Sequence, residues 1–128
     1  MPHYEYTFTV PPSSSIEEEV WVEGEELEEA SIRFPPGPCM LLKVALLYGL
    51  KQVVPENEGA WIAGDDEVVT ARPRWRLPES PCRFIVKAVN EDTVYEHSFT
   101  LRLEVKPREE EALARLTEEG FLEVMLSE

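Results

Sequence analysis

Cysteine is scarce in this chain, which has only Cys39 and Cys82 among its 128 residues. Two cysteines are too few for a disulfide framework, and neither lies in a Cys-x-x-Cys or histidine-paired metal spacing. We therefore expect free thiols and no metal ion or other cofactor, although neighbouring strand ends could still bring the two cysteines together.

Long apolar runs are also missing. The longest one, from Met40 to Leu50, is interrupted by Lys43 and Gly49 and is too short to cross a bilayer. The first five residues, Met-Pro-His-Tyr-Glu, do not resemble the basic and apolar regions of a signal peptide. The sequence therefore predicts a soluble protein without a membrane partner.

Basic residues are outnumbered, because 12 lysines and arginines stand against 26 aspartates and glutamates. The formal net charge of −14 repels the phosphates of nucleic acids and anionic lipids at long range. A nucleic-acid partner is therefore not expected.

Catalytic groups are few. His97 is the only histidine in the body of the domain, and its place between Tyr95 and Phe99 on the apolar face of a predicted strand favours a hydrogen-bonded structural histidine. The chain has no Gly-x-Ser-x-Gly elbow, phosphate loop or dinucleotide fingerprint. We expect no enzymatic activity; a hydrolase would need a pocket that holds His97 with a carboxylate partner.

The carboxylates of the segment 64–67 (Gly-Asp-Asp-Glu) could bind Ca²⁺, but the spaced pattern of a calcium loop is absent and a solvated turn is expected.

Eleven prolines argue against long helices and favour short strands joined by turns. Alternation predicts strands over His3–Val10 and Ile16–Glu23, and a strand through Ile32 and Phe34, with a helix over Glu25–Ser31 as the competing interpretation. The nearly continuous apolar segment from Met40 to Tyr48 predicts a central strand. Further short strands are predicted over 60–63 and 67–71.

The most regular alternation lies in Arg83–Val89 and Val94–Val105, which flank a polar turn and predict a β-hairpin. Its second arm would bury Tyr95, Phe99 and the alternate residues after them. The fold class is accordingly a mainly β, antiparallel sandwich of jelly-roll or immunoglobulin-like type over residues 1–107. Residues 108–128 are predicted to form a C-terminal helix and tail, packed on the sandwich or on a neighbour.

Charges of opposite sign are concentrated in two segments, and these are the candidate interface. The candidate residues are Arg72, Arg74, Trp75 and Arg76 on the basic side, and Glu25, Glu26, Glu28 and Glu29 on the acidic side. Contact between subunits through these segments, with Trp75 as the anchor, would make the protein a homo-oligomer. The alternative is that the two segments pair within one subunit or face water.

The aromatic residues Trp21, Trp61, Trp75 and Tyr48 could instead form a platform that stacks on sugars, as in a carbohydrate-binding or adhesion module, or simply pack the core.

Several phrases resemble one group of proteins. They are residues 32–37 (IRFPPG), 48–52 (YGLKQ) with 55–57 (PEN), 61–66 (WIAGDD) and 90–97 (NEDTVYEH). Together they are similar to small β-sandwich proteins of phage-like and thermophilic viral origin, over residues 4–107. The resemblance implies a structural or accessory protein of a virus particle, located in the virion, whose partners are its own copies and other particle proteins.

Overall fold

The structure is a computed structural model that describes residues 3–108. It contains ten β-strands: β1 His3–Val10, β2 Ser14–Val22, β3 Glu26–Phe34, β4 Leu42–Tyr48, β5 Lys51–Val54, β6 Ile62–Ala63, β7 Glu67–Ala71, β8 Trp75–Arg76, β9 Cys82–Asn90 and β10 His97–Lys106. From residue 109 onward, the predicted C-terminal helix and tail lie outside the described residues.

The strands form two antiparallel sheets. Sheet A has the order β1-β10-β3-β7, and the short β8 also pairs with β3. Sheet B has the order β2-β9-β4-β5, and the short β6 also pairs with β4. The prediction of a mainly β, antiparallel protein is therefore confirmed, and the two sheets fit a sandwich.

The core lies between the inner faces of the two sheets, because alternate residues of every long strand point there. Its largest fully buried side chains are Phe34, Phe84 and Phe99. Phe34 and Phe99 come from sheet A and Phe84 from sheet B, so both sheets contribute to the same cluster. Burial of such apolar side chains supplies roughly 1.5–3 kcal/mol each.

The predicted hairpin is wrong. β9 lies in sheet B between β2 and β4, whereas β10 lies in sheet A between β1 and β3. Residues 91–96 therefore carry the chain from one sheet to the other instead of making a tight turn. Each strand alternates as predicted, but alternation reports only that one face is buried and does not specify the neighbouring strand. β10 begins at His97, so Tyr95 lies outside the strand and is 67% exposed.

The strand predicted through Ile32 and Phe34 is confirmed, and the competing helix over 25–31 is wrong. A register shift places Glu104 opposite Glu29 and Val105 opposite Leu27, so Glu28 is an extra residue in β3. The bulge leaves Glu28 and Glu29 adjacent between buried Leu27 and Ala30.

The central strand predicted from Met40 to Tyr48 is confirmed as β4, which lies inside sheet B and starts two residues later. Gly49, with a φ of 58°, occupies the first position of the tight turn between β4 and β5. This left-handed conformation suits a residue without a Cβ atom.

Candidate binding surface at one end of the sandwich

Four loops meet at one end of the sandwich, and we call this surface the loop tip: residues 11–13, 35–41, 64–66 and 91–96. Backbone hydrogen bonds join the loops to each other. The amide of Ser13 donates to the carbonyl of Asp92 at 2.8 Å, and the amide of Glu91 donates to the carbonyl of Leu41 at 2.9 Å. The tip therefore consists of loops that brace one another across both sheets.

Asn90 is the buried polar residue beneath the tip, with 1% of its surface exposed. Its Nδ2 donates to the carbonyls of Val10, Pro11 and Tyr95 at 3.1, 3.3 and 2.9 Å. Its Oδ1 accepts the amide of Asp92 at 3.0 Å. One side chain at the end of β9 thus fixes both the end of β1 and the crossing segment 91–96.

Asp92 and His97 form a second support. Oδ1 of Asp92 accepts the amides of Val94 and Tyr95 at 2.9 and 3.2 Å, and its Oδ2 lies 2.8 Å from Nε2 of His97. The imidazole and the carboxylate are only 9% and 15% exposed. The hydrogen bond from the amide of Val94 is the main cause that lowers the pKa of Asp92, and His97 adds to it.

Asp65 holds the third loop. Its Oδ1 accepts the amides of Gly37 and Cys39 at 2.9 and 3.0 Å. These two backbone bonds, that of Cys39 first, lower the pKa of Asp65. The carboxylate that the sequence presented as a possible calcium ligand therefore serves to shape the loop between β3 and β4.

The backbone of the tip is strained. Of the five non-glycine residues with positive φ within residues 3–108, four lie in tip loops: Ser13, Cys39, Met40 and Asp66, with φ of 52°, 49°, 67° and 47°. Each such residue costs of order 1–3 kcal/mol, and strain of this kind concentrates at functional sites. Three of these residues are held by hydrogen bonds of their amides: Cys39 to Oδ1 of Asp65, Ser13 to the carbonyl of Asp92, and Asp66 to the carbonyl of Pro35.

The tip also displays apolar side chains. Met40, Leu41, Val94 and Tyr95 are 56%, 38%, 67% and 67% exposed. They account for four of the eight large hydrophobic side chains that are exposed within residues 3–108. Apolar side chains held outward on fixed loops are a feature of protein-binding surfaces.

Acid should weaken the tip. Because the folded pKa values of Asp92 and Asp65 lie below the unfolded value of about 3.9, their contribution to stability is complete above that pH and is lost as the pH falls through the folded values. Urea denaturation between pH 6 and pH 2 should show this decline, with a shallower decline in Asp92→Asn. Parallel curves for the variant and the wild type would contradict the role of Asp92.

The two cysteines lie at opposite ends of the sandwich. Cys39 is exposed at the tip, whereas Cys82 is buried at the start of β9, eight steps of about 3.4 Å from Asn90. Both are free, so the disulfide that the sequence left open does not form. Burial, and secondarily Glu79, raises the pKa of Cys82 to about 11.

One thiol per chain should therefore react quickly with Ellman's reagent at pH 8, and it should be that of Cys39. Only about one Cys82 side chain in a thousand would be a thiolate at that pH, given its pKa of about 11. The second equivalent should appear only after unfolding in guanidinium. Cys39→Ser should abolish the rapid phase, and a rapid phase that persists in this variant would show that Cys82 is accessible.

The predicted acidic and basic segments are neighbours within one subunit. Nε of Arg72 donates to Glu29 at 3.2 Å, and Arg76 lies opposite Glu26 in the pairing of β8 with β3. A groove of about 500 Å³ is lined by members of both sets and by Glu104; the lining residues are Glu26, Glu28, Glu29, Arg72, Arg74 and Glu104. Glu25 is bonded next to this groove through its backbone only: its amide donates to the carbonyl of Lys106, and its carbonyl accepts the amide of Leu77. A contact between subunits at this groove stays a prediction.

Trp75, the predicted anchor of a contact between subunits, is not fully exposed. It is half-buried on the edge of the core, with its ring 5.2 Å from that of Tyr48 and 5.5 Å from that of Phe84. The rings of Trp75 and Tyr48 are tilted by 51° and so do not form a flat platform. Trp21 and Trp61 make no ring pair within the described residues, and the predicted sugar platform is not assembled.

Within residues 3–108, no helix is long and apolar enough to cross a membrane. No group of three or more histidine, cysteine, aspartate or glutamate side chains in the same range is arranged to hold a metal ion.

The sequence predicted no binding surface at the tip, and it offered there only the carboxylates of segment 64–67 as a possible calcium site. The signal it did contain was the polar segment 90–93 followed by two exposed apolar residues, Val94 and Tyr95, which the hairpin prediction assigned to a strand. Asn90 carried no signal, because its bonding partners Val10 and Pro11 are about 80 residues away.

Comparisons with known proteins give no family. No family profile matches the chain, and no curated protein matches it. Similar solved structures include Bacillus endospore appendages that form disulfide-linked pili, with 9% identity over 84% of this chain and 87% of that one and a TM-score of 0.47. The structure of tomato aspermy virus matches with 8% identity over 84% of this chain and 80% of that one, and the TM-score is 0.46. Aeromonas hydrophila PliG, a periplasmic inhibitor of g-type lysozyme, matches with 6% identity over 80% of this chain and 84% of that one, and the TM-score is 0.45. Likenesses this distant carry no argument about function.

Proposed function

We propose that this chain is a non-enzymatic structural protein that docks onto other proteins of a particle through its loop tip. The observation that carries the proposal is that exposed apolar side chains lie on loops whose backbone is held by hydrogen bonds to the side chains of Asn90, Asp92 and Asp65. Loops that are already ordered lose little conformational entropy on docking. Tyr95 is of the residue type that most often dominates binding energy at protein interfaces.

The particle we propose is a phage virion, with this chain in its outer or accessory shell. The strand orders β1-β10-β3-β7 and β2-β9-β4-β5 fit the jelly-roll type of sandwich. Viral capsid proteins share this architecture with lectin and cupin domains. The sequence phrases similar to small viral β-sandwich proteins support the same choice.

The chemistry around His97 supports binding over catalysis. His97 has the carboxylate partner that a catalytic histidine needs, but no hydroxyl or thiol hydrogen-bonds to its ring within residues 3–108. Both oxygens of Asp92 are occupied by loop amides and by His97. A hydrolytic activity that disappears in His97→Ala and survives in Tyr95→Ser would overturn the non-enzymatic assignment.

The docking surface can be tested with a photo-crosslinking amino acid placed at position 94 of the tip or, as a control, at position 50, which is 99% exposed in the turn between β4 and β5. The neighbour captured in native particles is purified, and its dissociation constant is measured. A Met40→Ser, Tyr95→Ser double variant should bind at least about tenfold more weakly, a loss of about 1.4 kcal/mol. A Leu50→Ser, Val68→Ser control should bind like the wild type.

Unchanged affinity of the tip variant, or capture from position 50 alone, would show that the docking surface lies elsewhere.

A further inference from the structure

The outer edge of β1 has no strand beside it within residues 3–108. β1 ends the order of sheet A and pairs there with β10 alone. Half of its backbone amides and carbonyls therefore face away from the sheet. An edge of this kind is a template for pairing with another chain unless the sequence blocks it.

The other edge strands carry such blocks. β2 presents three consecutive exposed glutamates, at 17–19, and the Trp21 carbonyl and Glu23 amide next to them are bonded to the hydroxyls of Tyr6 and Tyr4 at 3.0 Å each. β5 has only four residues and begins with a lysine. β7 has five residues and is followed closely by Pro73. Charge, shortness and proline are the usual means of protecting an edge.

β1 carries one carboxylate, that of Glu5, and is followed by Pro11, but neither lies in the middle of the strand. It is eight residues long, and its segment Tyr6–Val10 has no charge, proline or glycine. Aromatic and β-branched residues make up this segment, which is the composition that pairs most readily.

The side chains of β1 are incompletely covered on the inner face. Tyr4, Tyr6 and Phe8 are each half-buried, at the open side of the sandwich between β1 and β2. The rings of Tyr6 and Phe8 are stacked, with centroids 6.3 Å apart. On the outer face, Thr7 and Thr9 bond to hydroxyls of β10 at 3.1 and 2.8 Å. A further strand would continue both faces.

We propose that β1 pairs in antiparallel fashion with β1 of a second copy, so that sheet A continues through a twofold axis. Residues directly opposite each other must point to the same face, which requires the axis to pass through a residue rather than between two. An axis at Thr7 places Tyr6 opposite Phe8, Thr7 opposite Thr7 and Glu5 opposite Thr9. Aromatic and threonine cross-strand pairs of this kind are favourable.

Charge selects this edge for a second copy. Two chains with a net charge of −14 repel each other, so their contact must avoid carboxylates. β1 contains a single carboxylate, that of Glu5, and the axis at Thr7 keeps the two Glu5 side chains apart. The strand is also complementary to itself, which is the requirement for a twofold contact.

The test uses like and unlike charges at the axis. Wild-type protein should dimerise in sedimentation equilibrium, and Thr7→Lys and Thr7→Glu should each weaken the dimer by about 10- to 100-fold, because two like charges would face each other at roughly 5 Å. An equimolar mixture of the two variants should restore association. Thr70→Lys, the same change on the outer face of edge strand β7, should behave like the wild type.

Restored association in the mixture identifies β1 against β1 and no other arrangement. A monomeric wild type at about 100 µM, or a Thr7→Lys variant that dimerises like the wild type while its thermal unfolding shows it folded, would overturn the proposal. In either case the edge would be left to a segment of another protein or to residues 109–128. Because the loop tip is not altered by these variants, failure here leaves the proposed docking function standing.

Discussion

Asn90→Asp is expected to lower the free energy of unfolding by about 3–5 kcal/mol, the range for an uncompensated buried charge. Aspartate has the shape of asparagine but no amide hydrogens. Its second oxygen would face the carbonyls of Val10, Pro11 and Tyr95, which now accept from Nδ2. With 1% of Asn90 exposed, water cannot replace the lost donor.

The measurement is urea denaturation at pH 7, with Asn57→Asp as the matched control. Asn57 is exposed, so the same chemical change there should alter stability by no more than about 0.5 kcal/mol. The deficit of Asn90→Asp should shrink as the pH falls, because the pKa of a buried, unpaired carboxyl group is raised and the neutral form is the one the site tolerates. A deficit below about 1 kcal/mol at pH 7 would show that Asn90 does not hold the crossing segment.

Strand positions could be predicted from the sequence, because they depend on local alternation and on the prolines that lie in many of the connections. β1 was predicted with its observed bounds, β4 with a start two residues too early, and β3 only through Ile32 and Phe34 near its end. Sheet membership could not be predicted in the same way. β9 and β10 alternate equally well as a hairpin or as members of two sheets, and long-range packing decides between the two.

The loop tip could not be predicted, because its supports are bonds between distant segments. Asp65 fixes the loop at Gly37 and Cys39 from 26 to 28 residues away, and Asn90 reaches Val10 across 80 residues. The position of Trp75 could not be predicted either, because local sequence suggested a surface residue while distant residues bury half of its ring. Its charged neighbours point outward from β8, but its own ring turns to Tyr48 and Phe84, which only the fold brings near.

The two proposed surfaces combine into one geometry. β1 runs toward the tip, since Val10 at its end pairs with His97. An antiparallel contact between two copies of β1 would therefore direct the two tips to opposite ends of the dimer. A unit with a docking surface at each end can connect two neighbours, which is what a structural protein of a shell or fibre requires.

Phe99→Ala should lower the free energy of unfolding by about 3–5 kcal/mol, the usual cost of truncating a buried phenylalanine. Phe99 is 1% exposed, and its ring lies 5.5 Å from that of Phe8 on the neighbouring strand β1. Tyr95→Ala is the matched control, since the alternation in the sequence placed both rings on the same buried face. At 67% exposure, Tyr95 should contribute no more than about 0.5 kcal/mol to stability.

Docking affinity should show the reverse effect: Tyr95→Ala should weaken docking although its free energy of unfolding stays close to that of the wild type. A loss below about 1 kcal/mol for Phe99→Ala would show that this face of β10 is not core, and a large loss for Tyr95→Ala would show that Tyr95 supports the fold instead of facing a partner.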